Sequence, residues 1–335
     1  MKKSLVLLLC LVLAVSAIFV GCGTEEQGNN PTQAPATTLK FGMGVYSSTP
    51  AVTDATIDKE GTGKLDVTVA AVTVDANGKI VACALDTASN TVKFTAEGKA
   101  VANSEFKTKY ELGDNYNMVA YGQATQEWYK QADAFEALVA GKTLTEVKAL
   151  LGEANKGTQD VVNAGCTIMV HEFIGAIEKA YNAAKDSNVT AENTLKVTMA
   201  TEQTCTDATE EKDGSNKVST TVFAAALDKD GKVVAAASDC VELAFSFDKA
   251  GASTLDTTKA VVSKKEAGTN YGMVAYGNAQ KEWFEQATAF DAACVGKTAT
   301  EIAALMGADG KGVADLQAAG CTIYVSGFVK AASKI

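Results

Sequence analysis

A chain of 335 residues with 47% hydrophobic and 21% charged residues is long and apolar enough to bury a sizeable core, which argues against a disordered or fibrous chain. Forty acids against 30 basic residues leave a formal charge of −10, and every cation is a lysine, because the sequence holds no arginine. A polyanion would meet a repelling field and no bidentate guanidinium, so no nucleic-acid role is expected. The single histidine, His171, argues in the same way against His-ligated zinc, haem and Ser–His triads.

Lys2 and Lys3 precede an apolar run over residues 5–20, then Gly21 and Cys22. A short apolar run behind a basic flank reads as a secretory signal over residues 1–21. Phe19-Val20-Gly21-Cys22 resembles the lipobox of bacterial lipoproteins, in which a peptidase cuts before a lipid-modified cysteine. Cys22 is then expected as the lipidated mature N-terminus; an uncleaved anchor helix is the alternative. Both place the body at the cell membrane, on its extracytoplasmic face. The mature chain would carry 28 lysines against 40 acids. It repels anionic headgroups, so the link to the membrane is the acyl anchor. Residues 22–38 hold two of the three prolines, Pro31 and Pro35, and no large apolar side chain, which predicts a solvated linker.

The remainder reads as one module written twice. NYNMVAYGQATQEWYKQADAFEALVAGKTLTE from Asn115 returns as NYGMVAYGNAQKEWFEQATAFDAACVGKTATE from Asn270, 155 residues on, and NAGCTIMVHEF from Asn163 returns as AAGCTIYVSGF from Ala318. The amino-terminal parts match more loosely, with VDANGKIVA against LDKDGKVVA pairing Gly78 with Gly231. So long a period predicts two domains, residues 39–184 and 190–335, joined through a polar stretch near residues 183–192 and each large enough to fold alone.

Within each module strands come first. KLDVTVAAVTVD, a turn at Asn77-Gly78 and KIVACALD predict a hairpin, with a further strand over residues 91–94; KVSTTVFAAALD, Asp230-Gly231 and KVVAAASD repeat the pattern. The helical part is expected after Tyr121-Gly122. Trp128, Ala132, Phe135 and Val139 fall at helical spacing, as do Trp283, Ala287, Phe290 and Cys294. Gly141 and Gly296 end those helices. Thr143 with Glu146, and Thr298 with Glu301, have capping-box spacing. Closing helices are expected over residues 172–183 and 327–333. The fold class is α+β: two tandem repeats, each an antiparallel sheet followed by packed helices.

Chemistry-bearing candidates are few. Gly141-Lys142-Thr143 and Gly296-Lys297-Thr298 lack the earlier glycine of a phosphate loop, since Glu136 and Asp291 stand there, and read as helix stop and cap. No CxxC occurs among Cys83, Cys166, Cys205, Cys240, Cys294 and Cys321, so no metal site is expected; only Cys166 and Cys321 recur. The acids Asp86 with Asp239, and Glu127 with Glu282, recur and read as solvated turn and helix faces. Tyr121 and Tyr276 offer planes for a flat ligand, whereas Trp128 and Trp283 read as core. Ala164 to Thr167 and Ala319 to Thr322 read either as a helix start with free amides for an anion or as a turn into a buried strand.

The VTVD-x-NGKI hairpin, followed by a late Gly-small-Thr stretch and a closing helix, resembles the FMN-binding domain family of exported and membrane-attached redox proteins. The resemblance implies an FMN site at Gly165, Cys166 and Thr167 and at Gly320, Cys321 and Thr322. The position that carries flavin covalently in some members holds Met169 and Tyr324, so the implied FMN is non-covalent. Three functions follow as expectations: a lipid-anchored flavin protein passing electrons to a membrane redox partner, a non-catalytic envelope lipoprotein that binds another ligand or partner without cofactor, and a secreted enzyme of unrecognised chemistry. No catalytic residue stands out.

Overall fold

In the computed structural model, which describes residues 37–335, Asp75 and Asp228 open the two tight turns that the sequence marks. Each carboxylate accepts amides two and four residues on at 2.8–2.9 Å, and Gly78 and Gly231 take φ of 76° and 74°. These turns join long strands. The first sheet contains β1 (Leu39–Ser48), β2 (Val52–Thr53), β3 (Gly61–Val74), β4 (Ile80–Phe94), β5 (Ala100–Val101) and β6 (Lys185–Val189), ordered β5-β4-β3-β1-β6 with β2 on β3. The second contains β7 (Thr194–Thr206), β8 (Gly214–Leu227) and β9 (Val233–Phe247) in that order. Both are antiparallel. The signal segment, Cys22 and the linker as far as residue 36 lie outside the described residues.

Eleven α-helices among the described residues complete the mixed α+β fold. Between β5 and β6 run α1 (Lys109–Leu112), α2 (Trp128–Val139), α3 (Leu144–Lys148), α4 (Gln159–Ala164) and α5 (His171–Ala183). After β9 come α6 (Lys264–Ala267), α7 (Met273–Gly277), α8 (Trp283–Cys294), α9 (Ala299–Ala303), α10 (Ala314–Ala318) and α11 (Ser326–Ala332). The capping boxes at Thr143 and Thr298 are formed, both with backbone and side-chain bonds. The helical part begins earlier than expected, at α1, where Thr108 and Glu111 make a further capping box whose T-x-x-E spacing was present in the sequence. No helix among the described residues is long and apolar enough to cross a membrane.

Alternation along β3 sets the layers. Leu65, Val67, Val69 and Ala71 face Val218, Val222 and Ala224 of β8 in one core, while Ala70, Val72 and Val74 face Trp128, Phe135 and Ile177. Phe223 and Ala225 on the outer face of β8 pack with Trp283, Phe290 and Phe328. The order is therefore helices, sheet, sheet, helices. With both faces covered, the last eight residues of β3 and of β8 are buried without a break.

Contacts between the two halves come in matched pairs. Ala55 N–H donates to Gly251 O at 2.8 Å and Ala208 N–H to Gly98 O at 2.7 Å. Asp54 accepts from Ser253 N–H and Asp207 from Ala100 N–H, at 2.8 and 2.9 Å. A Cβ on Gly98 or Gly251 would sit 2.8 or 2.6 Å from the methyl of Ala208 or Ala55, and both glycines have φ near the left-handed region. The rings of Phe94 and Phe247 stack with centroids 4.7 Å apart.

Two expectations are corrected by this packing. The halves are not self-contained, because beside an outer core of its own each shares with the other the core between the inner faces of the two sheets; Thr37–Ile335 is a single compact unit. The polar joint near residues 183–192 takes part in the first sheet, since β6 pairs with the start of β1. Residues 91–94 are not a strand of their own. β4 runs through the polar stretch after Asp86 because Thr87 and Asn90 find buried partners, Thr68 Oγ1 at 2.9 Å and Thr220 Oγ1 at 2.9 Å.

Candidate functional site

The repeated Gly-Cys-Thr stretch is neither a helix start nor a strand. Gly165 closes α4 with φ 105° and donates to Val162 O, and the Cys166 amide donates to Val161 O. The Thr167 amide and hydroxyl both donate to Gln131 Oε1, at 2.8 and 2.9 Å, while Gln131 Nε2 donates to Gln126 O. The second stretch has the same wiring. Gly320 (φ 104°) donates to Gln317 O, Cys321 to Leu316 O, and Thr322 through its amide and hydroxyl to Gln286 Oε1. Cys166 and Cys321 are fully buried, and burial pushes both thiols up to about 11.

These residues do not fit an FMN phosphate. All six amides are donated within the protein, and the stretch follows the carbonyl end of a helix, where the dipole is negative and repels an anion. The closing helices begin only at His171 and Ser326. The sequence signal was therefore a structural one: a buried glutamine on the aromatic helix holds the turn. Gln131→Leu strands two donors at Thr167 and is expected to lower stability by about 1–3 kcal/mol, read as a shift in urea midpoint with unchanged slope.

The recurring acids are buried, against the expectation of solvated faces. Glu127 accepts the amides of Met118 and Val119 at 2.9 and 3.1 Å, and Glu282 those of Met273 and Val274 at 2.9 and 3.2 Å. Asp86 accepts from Thr87 and Tyr110 amides, and Asp239 from Cys240 and Lys265 amides. Asp86 and Asp239 thus tie the segments carrying Tyr110 and Lys265 to the sheets, and Glu127 and Glu282 tie the preceding loops to the starts of α2 and α8. Trp128 and Trp283 lie in the outer cores as expected, while Tyr121 and Tyr276 are 84% and 89% exposed.

Beside these acids the halves differ in charge. In the second, Asp291 accepts from Ser238 Oγ at 2.5 Å and from the Lys265 ammonium at 2.9 Å. In the first, Glu136 stands where Asp291 does and Tyr110 where Lys265 does. Glu136 accepts the Leu85 amide at 2.6 Å, and the Tyr110 hydroxyl donates to Asp133. Among the described residues no lysine pairs with Asp86 or Glu136. Burial raises the Asp86 carboxyl to about 7 and the Glu136 carboxyl to about 8, with the Asp133 and Asp86 charges adding to the latter.

A concavity lies at the side of the sandwich where β1, β6 and α5 face β9, α6 and α8, with a volume of about 930 Å³. Its apolar wall includes Phe41, Met43, Val234 and Phe284. Ion pairs bound it: Lys179 reaches across to both oxygens of Glu266 at 3.1 and 2.9 Å, and Lys265 pairs with Asp291. No motif could have pointed to this cleft, because its walls are brought together from strands roughly 190 residues apart. Among the described residues no three metal-ligating side chains come together. No family model, curated protein or solved structure matches the chain.

Proposed function

We propose that the chain is an extracytoplasmic lipoprotein, tethered through Cys22, in which two copies of one module face each other and bind a ligand in the cleft between them, without chemistry on it. The cleft carries this reading: it is walled from both halves, with an apolar side that includes Phe41, Met43, Val234 and Phe284, and Lys179 pairs with Glu266 across it. The matched contacts at Gly98 and Gly251 support the two-copy part. The internal use of every Gly-Cys-Thr amide takes away the phosphate seat on which FMN binding and electron transfer would rest. The charge-poor linker expected at residues 22–38 would hold the cleft clear of the membrane surface.

The test has two arms. Cys22→Ser is expected to release the protein from the membrane fraction and to abolish labelled palmitate incorporation; equal labelling of parent and variant removes the anchor. Nile red, a neutral apolar dye, is expected to show one saturable site on the purified chain. Ala292→Trp, which fills the cleft from the exposed side of α8, is expected to remove that site with little change in melting temperature. A dye site that survives Ala292→Trp, or no dye site at all, overturns the cleft.

A further inference from the structure

We infer that the cleft takes an extended, uncharged peptide segment as an added strand on β9, an inference that rests on the cleft being the binding site. β9 pairs with β8 alone, and its other edge is open over part of its length. At Val233 that edge is bonded by Lys297 O and Gly296 N–H, and at Cys240 the amide is taken by Asp239 Oδ1. Between them Val234, Ala235, Ala236 and Ala237 line the cleft.

The corresponding edge of β4 shows what closing it requires. There the Leu85 amide points away from β3 and is capped by Glu136 at 2.6 Å. The matching residue on β9 is Ser238, and Asp291, one methylene shorter than Glu136, accepts the Ser238 hydroxyl and the Lys265 ammonium instead. Main-chain groups alternate along an antiparallel strand, so Ala236, two residues before Ser238, also directs its N–H and C=O away from β8. Those groups face the cleft. An open edge of this kind is a template for a further strand.

Size, shape and charge select the occupant. Residues 234–237 offer a ladder of roughly 14 Å at about 3.4 Å per residue, the reach of a four-residue strand. Three successive alanines let a second backbone approach without obstruction. Lys179 and Lys265 are each neutralised by an acid at 2.9 Å, which favours an uncharged segment held by its amides. A second copy of the chain is disfavoured, because its own β9 edge is recessed behind the same α5, β6 and α8 walls and cannot reach in.

The probe is a capped hexapeptide of alternating valine and threonine, added to the mature chain carrying Nile red. The peptide is expected to displace the dye and to slow amide exchange at Ala236. The same peptide N-methylated at alternate residues keeps its side chains and loses edge donors, and is expected to bind at least tenfold more weakly. Ala236→Pro removes an edge-facing donor that β8 does not use and is expected to weaken the parent peptide by a similar factor while the melt is retained. If that variant fails to fold, the methylated peptide on the parent chain decides. Equal affinity of the two peptides, or full affinity of folded Ala236→Pro, overturns the inference. So does a dye that binds the cleft and resists the peptide, which leaves the cleft standing as a site for another ligand. A concentration-dependent dimer abolished by Ala236→Pro overturns it in favour of a second copy. Absence of any dye site overturns the cleft itself.

Discussion

Residues 38–184 and 190–335, produced as separate chains, are expected to give no cooperative melt, whereas residues 37–335 give one. The inner faces of the sheets supply the reason. Leu65, Val67, Val69 and Phe94 from one half and Val222, Val241, Leu243 and Phe247 from the other are all at most 6% exposed in a core that exists only when both are present. Separation uncovers these side chains at a cost of about 1.5–3 kcal/mol each, so the four in either fragment forfeit about 6–12 kcal/mol, as much as the roughly 5–15 kcal/mol by which a domain is usually stable. It also leaves Asn90, Gly98 and Gly251 without their partners across the joint. Mixing the two fragments is expected to restore the melt. In the intact chain Phe94→Ala removes a ring stacked on Phe247 and is expected to cost about 3–5 kcal/mol. Independent melts of both fragments, or a Phe94→Ala loss below about 1 kcal/mol, would show that the joint is a loose contact between self-sufficient domains.

The local structure was legible and the joining of the halves was not. Asp75 and Gly78, Trp128 to Val139, and the capping pair Thr143 and Glu146 announce a turn, an amphipathic helix and a helix start by rules that act within four residues, and each stands where those rules put it. What decides the tertiary arrangement is subtler. Val67 to Val74 is apolar or threonine at both parities, the mark of a strand covered on two sides. Read as a one-sided hairpin, it leaves the second covering layer unaccounted for, and that layer is the other half of the chain. The Gly-Cys-Thr stretch misled for a related reason. Small residues before a closing helix suit an anion site equally well as a tight turn, and only the placement of Gln131, 36 residues earlier, decides between them. The acids at Asp86 and Glu127 were read as solvated because acids are abundant; their loop-tying role depends on amides that folding brings up to them.

Stability is expected to fall as pH rises from about 4 to about 8, chiefly through Asp86 and Glu136 of the first half, with burial raising Asp239 of the second in the same direction. Asp86 is buried, with a carboxyl raised from an ordinary value near 4 to about 7 in the folded chain, and Glu136 is raised in the same direction to about 8. Below pH 4 both groups are protonated, folded or unfolded, and their contribution is fully present. Between pH 4 and their folded values the unfolded chain ionises while the folded chain holds its protons, so unfolding releases protons and is favoured by higher pH. A tenfold difference in proton affinity between the folded and unfolded chain corresponds to about 1.4 kcal/mol, which makes the loss through Asp86 on the order of 4 kcal/mol across the window. Once the pH passes the folded values, the loss is complete and the curve flattens. The second half differs at one position of this cluster, since Lys265 supplies Asp291 with the ammonium that Tyr110 denies Glu136. Urea midpoints at pH 5 and pH 8 are therefore expected to differ clearly for the parent, to lose most of that difference for Asp86→Asn combined with Glu136→Gln, and to converge in part for Tyr110→Lys. Equal midpoints for the parent at the two pH values would mean that the pair is neutralised by a charge or by water that the folded chain admits.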